Sequence, residues 1–513
     1  MSKPLTHQLF QLIKSLSKSE KRHFRLYATR NSSEKELKFL SLFSALDAQA
    51  EYDEPVLLAK LDGVNKRQLS NLKAHLYQQI LVSLRLLHRR HGDLELREML
   101  DFASVLYDKG LYLQSLDQLT KARNLAQQRG RLTLFQEIIE FEKRIESRHI
   151  THSHAQRAEE LIRWGREARA QLQGDEAWSD VALEMYGLYL RIGHVKNHDE
   201  YAYVSDYFLS RLPKSGIPLS FFGQVFRAQA YVWFHFIQQD WIPCYRHART
   251  WVSLFQQHPA MQEQETNLYI KGIHNLLSVL YYNMDVKRHT QYLHQLQEVI
   301  AQYQEKFTEN ARIYASIYVS LDRIDHYFLT ANFTAGIEAI PEIEAQLNQF
   351  NDRIDGHRRL IFRYKFACLH FAKGQYRECI QYLQQIVNEP KTSLREDIQV
   401  FARILKLIAH YEVGDHDLVD AQIRSVYRYL LKFENMQEVQ KAVMLFLKNS
   451  VYMDRQQLTP HFKQLQEQLE QIARNPYQRR PFIYLDLYTY LRTKIEGLSM
   501  AEAVTLRVSQ RDY

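Results

Sequence analysis

Apolar residues recur every three or four positions along most of the chain, the spacing that places them on one face of an α-helix. The clearest unit is FACLHFAKGQYRECIQYLQQIVNEP, residues 366–390. A first helix is predicted to end at Lys373, Gly374 turns the chain, and a second helix begins at Tyr376. The second helix carries one apolar face, formed by Cys379, Ile380, Leu383 and Ile386. This pattern predicts a helical hairpin.

The same order of residues recurs along the chain. Gly110 and Tyr112 begin a second copy, whose apolar face is Ser115, Leu116, Leu119 and Ala122. Weaker copies place the start of a second helix at Trp241, Phe333 and His416. Helices repeat at intervals of about 40–47 residues, which is typical of repeat proteins. We therefore expect an all-α array of helical hairpins over residues 94–475, with capping helices over 476–513.

The hairpins resemble the tetratricopeptide repeat (TPR). Two triplets carry the match: Gly110, Tyr112 and Ser115, and Gly374, Tyr376 and Cys379. The small residue on the first helix matches at Ala103 and Ala367, but is Val232, Leu277 or Ile324 in other copies. The interval is also longer than the family's 34 residues. The resemblance implies a TPR-like right-handed α-solenoid whose groove binds a partner.

Six aromatic residues stand near the ends of the first helices, one position after the packed residue. They are Tyr107, Phe236, Tyr281, Phe328, Phe371 and Tyr411. In the tetratricopeptide family this face lines the groove that holds a peptide or partner helix, so the resemblance implies a partner groove here. The alternative is that the six rings only pack between neighbouring helices.

Residues 1–91 follow a different pattern. Helices are predicted at about residues 5–16, 19–28, 34–48, 54–61 and 66–90. Two capping boxes are predicted at helix starts, Ser17 with Glu20 and Ser33 with Glu36. Residues 1–91 also hold 16 Lys+Arg and 8 Asp+Glu, so the whole formal net charge of +8 lies in this segment. This asymmetry favours nucleic acid, a membrane surface or an acidic partner, although solubility alone would also explain it.

Within this basic all-helical module, residues 55–76 resemble a helix-turn-helix. Four residues stand at the spacing of that motif: Ala59, Gly63, Leu69 and Leu72. The face that would enter the major groove carries Asn65, Lys66, Arg67, Ser70 and Asn71. Basic residues that could contact phosphates are Lys18, Lys21, Arg22, Arg25, Arg85, Arg89 and Arg90. The resemblance implies a module that reads DNA.

Two alternatives to DNA reading remain open. The module could bind RNA or another acidic surface through its charge alone. It could also be a packing hairpin, because an apolar stripe runs along the second helix for about six turns. That stripe is Leu69, Leu72, Leu76, Ile80, Leu84 and Leu87.

The remaining residue types narrow the function class. The three cysteines, Cys244, Cys368 and Cys379, form no C-x-x-C motif, which favours a reducing cytoplasm over a disulfide framework or a zinc site. His149, His152 and His154 are interpreted as a polar turn, and no metal or cofactor is expected. No phosphate-binding loop or nucleophile motif occurs, and no apolar run is long enough to span a membrane. The sequence predicts a non-enzymatic, cytoplasmic scaffold for a protein or peptide partner, or alternatively a nucleic-acid-binding regulator.

Overall fold

The computed structural model describes residues 5–30, 34–61, 65–149, 155–350, 353–389, 396–431 and 437–510. Over these ranges the fold is all-α, without a β-strand. The chain divides into two compact units, unit 1 (Met1–Arg166) and unit 2 (Glu167–Tyr513). The helices predicted to open the array, at residues 94–149, therefore share unit 1 with the basic N-terminal module.

The first helices of unit 1 lie within three residues of the predicted bounds. They are α1 (Leu5–Ser15), α2 (Lys18–Ala28), α3 (Glu34–Ala48), α4 (Glu54–Ala59) and α5 (Lys66–Leu87). They are followed by α6 (Asp93–Asp108), α7 (Tyr112–Gln128), α8 (Leu132–His149) and α9 (Ala155–Ile192). The boundary between the two units falls within α9.

The predicted capping box at the start of α2 is confirmed. The Glu20 backbone N–H donates to Ser17 Oγ at 3.2 Å, and the Ser17 N–H donates to the Glu20 carboxylate at 2.7 Å. These bonds satisfy two of the N–H groups that a helix start leaves without partners. Ser33, of the other predicted box, and Gly63, of the predicted helix-turn-helix, lie outside the described residues.

Helix α5 is one continuous helix that docks along its length. Helices α1, α2 and α3 pack against it around a shared core. The core includes Leu9, Ile13, Phe24, Leu42, Phe43, Leu46, Leu69, Leu76 and Ile80. The apolar stripe of α5 is thus used to hold the module together.

Unit 2 continues with helices packed one after another. The first helices of its hairpins are α11 (Phe221–Gln238), α14 (Thr266–Tyr282), α16 (Glu309–Leu329), α19 (Gly356–Ala372) and α21 (Glu396–Val413). Their partners include α12 (Trp241–Gln257), α15 (Val286–Tyr303), α17 (Phe333–Glu338), α18 (Ile340–Phe350), α20 (Tyr376–Asn388) and α22 (His416–Leu431). The others are α10 (His198–Leu209), α13 (Pro259–Gln264), α23 (Glu438–Ser450), α24 (Arg455–Ala473), α25 (Arg480–Tyr484), α26 (Leu487–Glu496) and α27 (Met500–Ser509).

One turn recurs between the two helices of each hairpin. The second helices begin at the predicted residues Tyr112, Trp241, Phe333, Tyr376 and His416. In each turn a left-handed residue follows the first helix, and the next N–H donates to the carbonyl five residues earlier. For example, Gln375 N–H donates to His370 O at 2.9 Å across Gly374. The left-handed residues are Gly110, Gln239, Met284, Ala331, Gly374 and Gly414. This Schellman-type closure satisfies carbonyls that the helix end leaves exposed.

Small residues let the two helices of several hairpins approach closely. Ser115 Oγ donates to Ala103 O at 2.8 Å, and Cys244 Sγ lies 3.5 Å from Val232 O. Both contacts join positions twelve residues apart. His289 occupies the corresponding position of the α14–α15 hairpin, where it is fully buried.

Candidate binding surfaces

The aromatic residues predicted to line a partner groove pack both within their own hairpins and against neighbouring helices. Five of them contact the ring five residues later, across the turn. The ring centroids are separated by 5.6 Å for Tyr107–Tyr112, 5.5 Å for Phe236–Trp241, 6.1 Å for Phe328–Phe333, 5.3 Å for Phe371–Tyr376 and 6.4 Å for Tyr411–His416. Phe236, Phe371 and Tyr411 are buried, and Tyr107, Tyr281 and Phe328 are half-buried. The structure gives these rings a packing role, and their contact with a partner stays a prediction.

Helices α14, α16 and α19 of unit 2 contribute to one continuous surface, here called the front face. His274 Nδ1 of α14 lies 2.9 Å from Asp322 Oδ1 of α16. Lys365 of α19 forms an ion pair with Asp325 of α16, and its Nζ lies 5.2 Å from the Tyr281 ring centroid. These contacts link the three helices side by side.

The C-terminal helices of the chain cover part of this face and continue onto α21. The Tyr364 hydroxyl of α19 donates to Tyr484 O of α25 at 2.9 Å. The Tyr484 ring stacks on Phe401 of α21 at 4.5 Å between centroids, and its hydroxyl donates to Asp397. Unit 2 therefore already holds a short helical segment across α19 and α21.

The next helix, α26, extends this contact. Its Tyr490 ring lies 5.7 Å from Phe371, one of the predicted groove residues. Tyr490 and Lys494 both contact the Glu412 carboxylate at the end of α21. Phe371 is thus covered by the chain's own C-terminal segment.

The front face also has an aromatic and cationic recess at Tyr186, Lys271, Tyr314, Tyr318 and Arg358. Lys271 Nζ lies 5.7 Å from the Tyr186 ring centroid, and Arg358 Cζ lies 5.2 Å from that of Tyr314. Among the described residues, the Lys271 ammonium group has neither an ion-pair partner nor a hydrogen bond. Burial and the nearby Arg358 charge lower the pKa of Lys271. Arg358 forms an ion pair with Asp355, so Lys271 carries the unpaired positive charge of the recess, and such a charge favours binding of an anionic group.

Beneath the recess, a buried hydrogen bond fixes the rings. Asp322 is fully buried, and burial raises its pKa to about 6 even though His274 favours the ionised form. The His274 ring also stacks on Tyr318, with 4.3 Å between centroids. No local sequence pattern marks the recess, because its residues come from four helices that are far apart in the chain.

In unit 1, the residues predicted to read bases lie at the start of α5. Lys66, Arg67, Ser70 and Asn71 are exposed. The Asn65 side chain caps the helix, because its Oδ1 accepts the Gln68 N–H at 2.9 Å. Asn65 is therefore engaged in the helix start, and Lys66 Nζ lies 4.0 Å from Glu54 Oε1. Arg67, Ser70 and Asn71 present their polar groups to solvent.

The predicted phosphate contacts lie elsewhere in the module. Lys21 and Arg25 form ion pairs with Asp47, at 2.6 and 3.7 Å. Arg89 and Arg90 follow the end of α5, about 33 Å from its start at a rise of 1.5 Å per residue. The predicted base-reading and phosphate-binding residues therefore do not form one compact site.

No group of three or more His, Cys, Asp or Glu side chains is arranged to hold a metal ion in the part of the chain that the structure describes. The predicted polar turn with His152 and His154, and the His149 side chain, lie outside that part. No described helix has the length and apolarity needed to cross a bilayer. No protein-family model, curated protein or solved structure matches the chain.

Proposed function

We propose that this protein is a non-enzymatic, TPR-like right-handed α-solenoid scaffold that binds a peptide or protein segment on the front face of unit 2. The observation that carries the proposal is the docking of the C-terminal segment, where Tyr484 and Tyr490 contact α19 and α21. A surface that binds one short helix of its own chain has the shape and chemistry to bind another. The recess beside it offers the free part of that surface.

The chemistry of the recess indicates what the partner segment carries. Its tyrosine rings provide flat apolar area of the kind that anchors partner side chains at interfaces. Lys271 adds an unpaired positive charge in a half-buried setting, where a hydrogen bond is stronger than in water, whereas Arg358 is paired with Asp355. A segment with an acidic side chain next to apolar residues fits both features.

The other expectations for the protein agree with this role. Its three cysteines are unpaired, which suits a reducing cytoplasm. Burial raises the pKa of Cys244 and of Cys379, and it raises that of Cys368 to about 12, so the thiols are poor nucleophiles at neutral pH. The cysteines therefore serve packing, and the proposed activity is binding without chemistry.

Selection of helical peptides from a display library on the full-length protein tests the proposal. Selected peptides should share an acidic residue with apolar neighbours, and Lys271→Glu should weaken their binding at least about tenfold by replacing attraction with repulsion. Lys463→Glu is the matched control, because Lys463 is exposed on α24, away from the recess, and the charge change is the same. If both variants bind equally well, or no peptide is enriched, the recess is not the binding site.

A further inference from the structure

Helices α2 and α5 of unit 1 run antiparallel, and three side-chain contacts fix their register. Tyr27 donates to Gln79 Oε1 at 3.0 Å. Nearer the start of α2, His23 Nδ1 lies 2.9 Å from Ser83 Oγ, and Glu20 Oε1 lies 3.1 Å from His88 Nε2. The start of α2 is therefore placed beside the end of α5.

This register brings four cations together that are distant in sequence. Lys18 and Arg22 lie at the start of α2, and Arg89 and Arg90 follow the end of α5. We call these four residues the basic end. All four are exposed, and none has an ion-pair or hydrogen-bond partner within the described ranges of the chain.

Several other cations of the module are engaged in the fold. Lys73 is buried and lies 2.7 Å from Glu54, and Arg85 lies 2.7 Å from Asp101. Lys21 also uses its charge within the module, on Asp47. The excess charge of the N-terminal segment is therefore carried by exposed cations, four of which form the basic end.

The acidic side chain of Glu20, which lies between Lys18 and Arg22 in the sequence, is also engaged. Burial alone would raise the pKa of Glu20, but hydrogen bonds from Ser17 and His88 outweigh it and lower the pKa. Its carboxylate is held by the Ser17 N–H at 2.7 Å and by His88. Glu20 therefore fixes the register of the helices and leaves the four cations for an external anion.

We propose that the basic end binds the sugar–phosphate backbone of a nucleic acid, independently of base sequence. Three of its four cations are arginines, whose planar donors hold phosphate oxygens in pairs. Lys66 and Arg67, about 33 Å away along α5, have no part in this contact. The surface differs in place and chemistry from a base-reading helix-turn-helix.

The packing of α2 favours nucleic acid over a membrane surface. A helix that lies on a bilayer needs an exposed apolar face beside its cations. On α2 the largest apolar side chain, Phe24, is buried in the core of unit 1, and Tyr27 is held by Gln79. Leu26 is the one large apolar side chain of α2 that is exposed, so α2 presents no continuous apolar face to a bilayer.

The proposal predicts a definite dependence on salt. Each phosphate contact to duplex DNA contributes about −0.9 to the slope of log affinity against log salt, so four contacts give about −3.6. Between about 50 and 200 mM salt this slope corresponds to a loss of roughly 100-fold in affinity.

The test uses the full-length protein and fluorescence anisotropy of labelled mixed-sequence duplex DNA, duplex RNA and single strands. The first variant changes Lys18, Arg22, Arg89 and Arg90 to Gln. The matched control changes four other exposed cations of unit 1 to Gln, namely Lys60, Lys66, Arg67 and Lys109. We expect the first variant to lose at least about tenfold in affinity and most of the salt slope, and the control to keep both.

Four results would overturn the proposal. They are no binding by the wild type at low salt, an equal loss in both variants, a loss only in the control variant, and a strong dependence on base sequence. Binding of the full-length protein to vesicles of phosphatidylcholine with phosphatidylserine is measured as well. Binding to these vesicles without binding to nucleic acid would assign the basic end to membranes instead.

Discussion

His289 of α15 and His326 of α16 stack with their ring centroids 5.6 Å apart and their planes 11° from parallel. His289 is fully buried, and neither of its ring nitrogens has a hydrogen-bond partner within the described residues. An unsatisfied buried polar group costs about 1–3 kcal/mol relative to water. The buried imidazole of His289 therefore lowers the free energy of unfolding.

Replacing His289 by Leu should stabilise the protein. The substitution keeps a similar volume and removes the unsatisfied nitrogens, so we expect a gain of about 1 kcal/mol in the free energy of unfolding. His274→Leu is the contrasting variant, because it removes the partner of the buried Asp322 carboxylate and should cost about 2–3 kcal/mol. Urea unfolding monitored by circular dichroism gives both values. A loss of stability in His289→Leu would show that the imidazole has a partner, such as a buried water.

His289 also predicts that the stability of the folded state depends on pH. Burial, with added repulsion from His326 and Lys365, lowers the pKa of His289 to about 3, compared with about 6.5 in an unfolded chain. Because the folded state favours neutral imidazole, its stability is fully present above pH 6.5 and is lost as the pH falls towards 3. From pH 7 to pH 5 this loss amounts to about 2 kcal/mol.

Between pH 7 and pH 5, Asp322 has the opposite effect on the free energy of unfolding. Its pKa is raised to about 6, so the folded state binds a proton more readily and gains about 1 kcal/mol between pH 7 and pH 5. Comparing the wild type with His289→Leu at both pH values separates the two effects. The variant should lack the acid-induced loss of about 2 kcal/mol, and an unchanged difference between pH 7 and pH 5 would refute the assignment to His289.

The left-handed residues of the hairpin turns predict how single substitutions there change the stability of the fold. Ala331 has φ 55°, a left-handed conformation that costs an L-residue about 1–2 kcal/mol. Ala331→Gly should therefore raise the free energy of unfolding by about 0.5–1 kcal/mol, after the added chain entropy of Gly is subtracted. Gly374→Ala should lower it by about 1 kcal/mol, because an added Cβ at φ 78° meets no atom within 4 Å and the effect is purely a backbone one. Thermal unfolding of both variants should show opposite shifts.

The sequence predicted local features well. A glycine followed two residues later by an aromatic marks the turn at Gly374 and Tyr376, because both the left-handed residue and the helix start depend on adjacent positions. The same holds for the Ser17–Glu20 capping box. At Gln239 and Met284 the turn forms without glycine, so the sequence pattern that marks a hairpin is weaker there.

Features that depend on distant helices could not be read from the sequence. Lys271 and Arg358 come near each other because α14 and α19 both pack on α16, and neither residue belongs to a local motif. The basic end depends on the register between α2 and α5, which the His23–Ser83 contact fixes. Helical periodicity identifies which face is apolar, but it does not say which residue of another helix lies opposite.

Tyr484 tests how the front face holds the C-terminal segment. Tyr484→Phe keeps the stack on Phe401 and loses only the hydroxyl bond to Asp397, so it should cost about 1–2 kcal/mol. Tyr484→Ala also removes the ring, and we expect a cost of about 3 kcal/mol together with new binding of a hydrophobic dye to the uncovered surface. Urea unfolding and dye fluorescence measure the two effects. Equal costs for the two variants would mean that the hydroxyl, and not ring burial, holds the segment, and the front face would then be a poor acceptor for apolar partner side chains.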